Sequence, residues 1–217
     1  MRKKRFRSAR PIRVHKFVSC TACSPEFQRI QNERDTLLQE NDELRRLVDT
    51  DALTSLPNRR ALIVQLERAI ARAKETEQKL AFVVIDIDLF KSINDKYGHD
   101  AGDEVLRSFS ARLKKSCRED DFIARFGGEE FVMILPETDE DLACQLVETL
   151  RMRIENKLRV SVGGKAVGIT ASFGVAMLES ESDTADTLFK RADEALYKAK
   201  SGGRNRVVRS RKVPEEN

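Results

Sequence analysis

No stretch of this 217-residue chain holds the roughly 20 consecutive apolar residues that a bilayer crossing needs, and none forms the apolar core of a secretory signal. We therefore expect a cytoplasmic protein with no membrane span. Net charge is low too, with 40 Lys and Arg against 36 Asp and Glu for a total of +4. So small an excess does not draw the whole chain to nucleic acid, which is not expected as a partner. Cysteine is scarce: four thiols in a chain of this length are expected to stay reduced. What is present is a soluble globular composition, 35% charged and 40% hydrophobic, long enough for one domain of ordinary size plus an extension.

The extension starts with a basic tail, residues 1–25, where Arg2, Lys3, Lys4, Arg5, Arg7, Arg10, Arg13 and Lys16 meet no acid. Such a tail is expected to be flexible and solvated, although its charge suits RNA, DNA or anionic lipid. Cys20-x-x-Cys23 with His15 is half of a zinc site that two adjacent chains could complete; idle thiols are the preferred reading. Over residues 26–50, Phe27, Arg34, Asn41 and Val48 fall at heptad position a and Ile30, Leu37 and Leu44 at d. The spacing predicts a parallel coiled-coil stalk, with Asn41 fixing register against its twin and Glu40 facing the partner chain's Arg45. An amphipathic helix packed on its own domain is the alternative.

Beyond the stalk, Pro57 is expected to interrupt the helix and Asn58 to cap the next one, whose apolar positions are Leu62, Leu66, Ile70 and Ala73. Leu80 to Ile85 is an apolar run of buried-strand length ending in Asp86-Ile87-Asp88. Helices are predicted over Phe90 to Tyr97, from near Gly102, over Glu140 to Asn156 and over Thr184 to Lys200. Val167 to Met177 and Arg206 to Val208 read as strands. Between them lies Phe122-Ile123-Ala124, then Gly127-Gly128 as a hairpin turn, then Phe131 to Leu135. Strands flanked by helices around a hairpin predict an α+β sheet with helices packed on it. A turn does not explain Glu129 and Glu130 at the mouth of an apolar strand, where like charges repel. If the Asp86 strand lies beside the hairpin, Asp86 and Glu129 can converge on a hard cation such as Mg²⁺; two solvent-facing glutamates are the plainer alternative.

These stretches together resemble the GGDEF domain of the diguanylate cyclase family, with Gly127-Gly128-Glu129-Glu130-Phe131 as the GGEEF form of its signature. Asp51-Ala52-Leu53-Thr54-Ser55-Leu56-Pro57-Asn58-Arg59-Arg60 resembles the family's entry motif, and Asp86 to Asp95 its first strand and helix. Tyr97 to Asp103, Ala171 to Ala176 and Ala192 to Lys200 follow in family order. The resemblance implies a palm-like domain over residues 51–210, followed by a flexible tail over 211–217. It implies an enzyme that condenses two GTP into cyclic di-GMP and two pyrophosphates with Mg²⁺ (or Mn²⁺).

Carried over by motif, the resemblance makes Asp86, the Ile87 carbonyl and Glu129 metal ligands, with Glu130 activating the hydroxyl or holding a second metal. Asn94 and Asp103 fall where the family reads guanine. Phe90 and Lys91 fall where backbone amides meet the triphosphate, and Lys91, Lys200 and Arg204 where side chains do. For Lys200 and Arg204, solvated charge at a helix C-terminus is the reading without the motif. Arg118 and Asp121 match the family's RxxD site for inhibitory cyclic di-GMP; where a second arginine often follows, this chain has Thr149, with Arg151 and Arg153 nearby. One half-site per protomer implies a homodimer, assembled by the stalk and open to a regulatory protein acting there. A catalytically idle cyclic di-GMP receptor and a signalling adaptor are the alternatives.

Overall fold

In the computed structural model, residues 25–162 and 164–210 are described, the side chains at 39, 41–47 and 162 excepted. Both predicted tails, with Cys20 and Cys23, lie outside the described residues. The chain forms two compact units that divide between Arg46 and Leu47.

The first unit carries most of α1, Pro25–Asp49. Phe27, Ile30, Leu37 and Leu38 are exposed along it. Arg34 pairs with Asp35 at 2.6 Å. The predicted roles of Asn41, Leu44 and Arg45 fall on side chains outside those described.

In the second unit, α1 ends at Asp49, eight residues before Pro57, so the proline does not terminate it. Thr50 bridges Pro57 instead, and Asp51 closes the intervening turn by accepting from Thr54 N and Oγ1. Asn58 caps α2 (Arg59–Glu75) as expected, accepting from Arg60 N and Ala61 N. The five-stranded sheet runs in the order β2 (Phe122–Gly127), β3 (Glu130–Pro136), β1 (Leu80–Ile87), β6 (Ala171–Met177), β7 (Val207–Arg209). All neighbours are antiparallel except β6 and β7.

Strand β1 lies at the centre and is buried at every position, which is why its sequence reads as an unbroken apolar run. Alternation sends Ala81, Val83, Ile85 and Ile87 into a core with α3 (Phe90–Tyr97), α4 (His99–Ser116) and α5 (Glu140–Lys157). Leu80, Phe82 and Val84 enter a second core under α2 and α6 (Ala185–Ser201). Helix α6 approaches β6 at Gly174, where a Cβ would strike the Ala192 carbonyl and the Leu196 amide.

Further element boundaries differ from expectation. Helix α4 starts at His99 rather than near Gly102, because Gly98 at φ 86° ends α3 and the chain re-enters a helix at once. The stretch expected as one strand from Val167 to Met177 is broken at Ile169-Thr170, whose backbone bonds Leu158 and Asp88. Its first part, β5 (Lys165–Gly168), pairs with β4 (Arg159–Val162) as a separate two-stranded sheet. The last strand begins at Val207 instead of Arg206.

Candidate active site

The Asp86 strand does lie beside the hairpin, so the acidic ends of β1 and β3 meet. Asp86 lies directly opposite Glu130, and the Ile87 amide donates to the Glu129 carbonyl at 3.3 Å. The hairpin turn sits one residue later than predicted: Gly127 pairs with Glu130 inside the ladder, so Gly128-Glu129 forms the turn, with Gly128 at φ 45°. That shift puts Glu129 on the turn and Glu130 in the strand. The register slips between Arg125 and Gly127 as a β-bulge at Phe126. Phe126 packs on Phe189 of α6 at 4.7 Å between ring centroids, and the Arg59 guanidinium lies 4.7 Å above its ring.

Arg125 holds the turn from behind. Its guanidinium donates to the Gly128 carbonyl at 3.1 and 2.8 Å and to both oxygens of Asp51 at 3.0 and 3.1 Å. Its backbone amide donates to Pro57 at 2.8 Å. The entry motif and the signature hairpin are thereby one hydrogen-bonded unit. The sequence supplied both residues but not their partnership, since 74 positions separate them.

Asp86 is nearly buried, and its side chain meets Lys200 Nζ at 2.7 Å. Burial drives its pKa from 3.8 to about 6, against the pull of Lys200 and with the help of Glu129 and Glu130. Glu130 is raised for the same leading reason, burial; Lys200 lowers it, while Asp193 and Glu129 raise it. Asp86, Glu129, Glu130 and Lys200 thus form one electrostatic cluster at the strand ends, with Asp193 beside it. Asp88 plays a different part: its oxygens accept from Thr170 Oγ1 at 2.8 Å, Ser172 Oγ at 2.6 Å and Asn205 N at 3.0 Å, so it is a buried structural acceptor.

After Asp88, Leu89 at φ 57° turns the chain into α3, whose N-terminus carries no side-chain cap. The first amides of the helix, those of Phe90 and Lys91 among them, are thus left with donors to offer. Asn94 comes from the next turn of α3. Its Oδ1 is buried without a hydrogen-bond partner against Gly102 of α4, where a Cβ would overlap it. Asp103 follows on α4, half-exposed and 3.9 Å from Arg107. At the other end of the site Lys200 sits in the last turn of α6, and Arg204 lies exposed in the connection to β7.

Arg118 and Asp121 lie apart from this cluster, between α4 and β2. Asp121 Oδ2 accepts from the Arg118 amide at 2.8 Å. Both line a cleft of about 560 Å³ whose far wall is α2, with Arg68 and Arg72. The other arginines that line this cleft thus come from α2. Arg151 on α5 is already engaged, with its guanidinium bonded to Glu148, Glu155 and Asn205.

No group of three His, Cys, Asp or Glu able to hold a metal ion by themselves occurs among the described residues. The donors at the strand ends nevertheless suit Mg²⁺: hard oxygens on buried carboxylates whose desolvation Lys200 only partly offsets.

The geometry defines a class, an α+β domain with a charged site where central strands of a mostly antiparallel sheet end beside an uncapped helix. The chain belongs to the GGDEF diguanylate cyclase family: residues 48–206 match the family model "Diguanylate cyclase, GGDEF domain". It is 43% identical over 182 residues to the response regulator PleD of Caulobacter vibrioides, an alignment covering 82% of this chain and 40% of PleD. The chain thus spans less than half the length of that curated relative. Its fold matches the coiled coil and GGDEF domain of DgcB from Caulobacter crescentus, solved with c-di-GMP, at a TM-score of 0.76 and 32% identity, covering 88% of this chain and all of that one. It matches diguanylate cyclase SiaD of Pseudomonas aeruginosa, solved with its activator SiaC, at 0.76 and 35% identity, covering 85% and 71%. No described helix is long and apolar enough to cross a membrane.

Proposed function

We propose that this protein is a diguanylate cyclase that condenses two GTP into cyclic di-GMP and two pyrophosphates. The observation that carries the reading is the desolvated pair Asp86 and Glu130, opposite each other at the strand ends beside Lys200. Carboxylates raised by burial are costly to keep unless a cation uses them. Asp86, Glu129 and the Ile87 carbonyl would hold Mg²⁺, with Glu130 as a further ligand or as the acceptor of the ribose hydroxyl proton. When bound, the metal supplies charge neutralisation for the attacked α-phosphate.

The remaining residues bind and orient. Asn94 Oδ1, buried and unpartnered, is an acceptor waiting for a base N–H, and Asp103 offers a carboxylate on the next helix. A site that accepts from two guanine N–H groups discriminates against adenine, which lacks them. The free amides at the start of α3, with Lys91, Lys200 and Arg204, meet the triphosphate. The arrangement is built to bring a 3′-hydroxyl and an α-phosphorus together, so most of its effect is positioning.

One half-site per domain requires two domains, and the exposed apolar stripe of α1 supplies a means to pair them as a stalk of about residues 26–50. SiaD was solved with an activator protein, and a partner acting on the stalk of this chain is the corresponding mode of control. The cleft at Arg118 and Asp121, widened in basic character by Arg68 and Arg72, is the place for inhibitory cyclic di-GMP. We place the reaction in the cytoplasm.

The test is pyrophosphate release from GTP and Mg²⁺ with products separated and protein concentration varied. Cyclic di-GMP should appear with a steeper than linear dependence on protein, and Glu130→Gln should abolish it while leaving cyclic di-GMP binding intact. Cyclic di-GMP binding with no turnover across that range would replace this reading with that of a receptor.

A further inference from the structure

The connection from α6 to β7 holds three successive residues at positive φ: Gly203 at 115°, Arg204 at 61° and Asn205 at 45°. Glycine takes this conformation freely, and asparagine tolerates it. An arginine does not, and such residues persist where their surroundings over-determine them. Here the surroundings are specific. The Asn205 amide donates to Asp88 Oδ2 at 3.0 Å. Its side-chain Oδ1 accepts from Arg151 Nη1 at 2.9 Å, and its Nδ2 donates to Glu155 Oε1 at 2.8 Å. Arg151 is itself fixed by bidentate bonds to Glu148. Every hydrogen-bonding group that Asn205 presents, apart from its carbonyl, is engaged by a residue remote in sequence.

The two ends of the connection are therefore tied to the same strand end. Lys200 reaches Asp86 at 2.7 Å, and Asn205 reaches Asp88. Arg204 lies between these two anchors. Its amide is bonded to the Ala199 carbonyl and its carbonyl accepts from Arg206 Nε, but its guanidinium has no partner among the described contacts. A backbone this constrained beneath a free cationic side chain is a device for aiming that side chain.

We infer that Asn205, clamped by Asp88, Arg151 and Glu155, is a positioning residue that forces the left-handed turn at Arg204 and so presents its guanidinium to the triphosphate. The inference rests on the reading of Arg204 as a phosphate contact. It assigns a role in substrate binding to Arg151 of α5, whose guanidinium bonds only Glu148, Glu155 and Asn205 among the described contacts. It also explains why Asp88, two residues beyond a metal-binding carboxylate, is fully occupied by hydrogen bonds: it holds the frame on which the phosphate contact is mounted.

The experiment is a double-mutant cycle on the affinity for a non-reactive GTP analogue, measured by calorimetry with Mg²⁺, so that the readout does not depend on turnover. Asn205→Gly is the informative variant, because glycine keeps the positive φ and the backbone bond to Asp88 available while deleting the side-chain clamp to Arg151 and Glu155. Arg151→Met, which removes the clamp from the other side, is the second. Each should weaken binding about tenfold, and so should Arg204→Ala; in the Arg204→Ala background, adding Asn205→Gly should change affinity less than twofold. Full additivity with Arg204→Ala, or unaltered affinity in Asn205→Gly and Arg151→Met while Arg204→Ala is weakened, overturns the inference alone. Arg204→Ala binding like the wild type overturns the phosphate reading on which it rests, and the inference with it.

Discussion

Replacing Asp86 by Asn should abolish turnover and at the same time stabilise the metal-free protein. Burial raises this carboxyl from 3.8 to about 6, and each pKa unit is ~1.4 kcal/mol of difference between the two protonation states. Keeping the carboxylate ionised in the fold therefore costs about 3 kcal/mol at pH values above 6, with the pairing to Lys200 already counted. Asparagine has nearly the shape of the protonated acid and carries no charge. The variant should gain roughly 1–3 kcal/mol at pH 8, allowing for imperfect replacement of the acid's hydrogen bonds.

The sign of the pH dependence follows from the same shift. Between about pH 4 and 6 the folded protein holds a proton on Asp86 that the unfolded chain releases. This group's contribution therefore makes the wild type less stable as pH rises through that window. Urea unfolding of both proteins in EDTA at pH 8, 6 and 4.5 reads the difference directly: the advantage of Asp86→Asn should be largest at pH 8 and fade towards pH 4. Added Mg²⁺ should then stabilise the wild type and leave the variant unmoved. An Asp86→Asn protein less stable than the wild type at pH 8, or an advantage independent of pH, would refute the reasoning that this carboxylate is held at a cost for the sake of a cation.

Gly102→Ala places a methyl group onto Asn94 Oδ1 and against the Phe90 ring; steady-state kinetics should show KM for GTP raised about tenfold and discrimination against ATP reduced, with a smaller change in kcat. Arg125→Ala removes the guanidinium that joins the Gly128 carbonyl to Asp51, and should lower kcat at least about tenfold with little change in GTP affinity. Arg125→Lys should recover little of that loss, because one ammonium does not reproduce the planar fork that reaches both partners. Gly174→Ala meets backbone atoms of α6 rather than a movable side chain, and should destabilise the domain by about 3 kcal/mol or more in denaturant unfolding.

Much of the fold is legible because burial and periodicity coincide. The positions Leu62, Leu66, Ile70 and Ala73 read as the inner stripe of α2 are its buried residues. The apolar run before Asp86 reads as a buried strand because β1 has a core on each face. The β4–β5 ribbon is not legible: its four-residue strands lie beside a longer apolar stretch that continues into β6, and nothing in local pattern marks the break at Ile169-Thr170. What ends that strand is long-range, a bond from the Asp88 amide to the Thr170 carbonyl.

The candidate site divides along the same line. Its charged residues stand out in the sequence because acids at the end of an apolar strand contradict the local pattern, and such contradictions mark function. The residues that hold them in place do not stand out, because their partners are far away in the chain: Arg125 needs Asp51, and Asn205 needs Asp88, Arg151 and Glu155. Asp88 makes the point most sharply, since in sequence it is the twin of Asp86, one alternation further along the same strand end. The strand stops at Ile87, and the chain turns there. Three donors then surround Asp88, whereas Asp86 is left with a single lysine and two glutamates. Of two identical side chains, one takes three hydrogen bonds from the fold and the other a single lysine; hydrogen-bond accounting separates them where spacing does not.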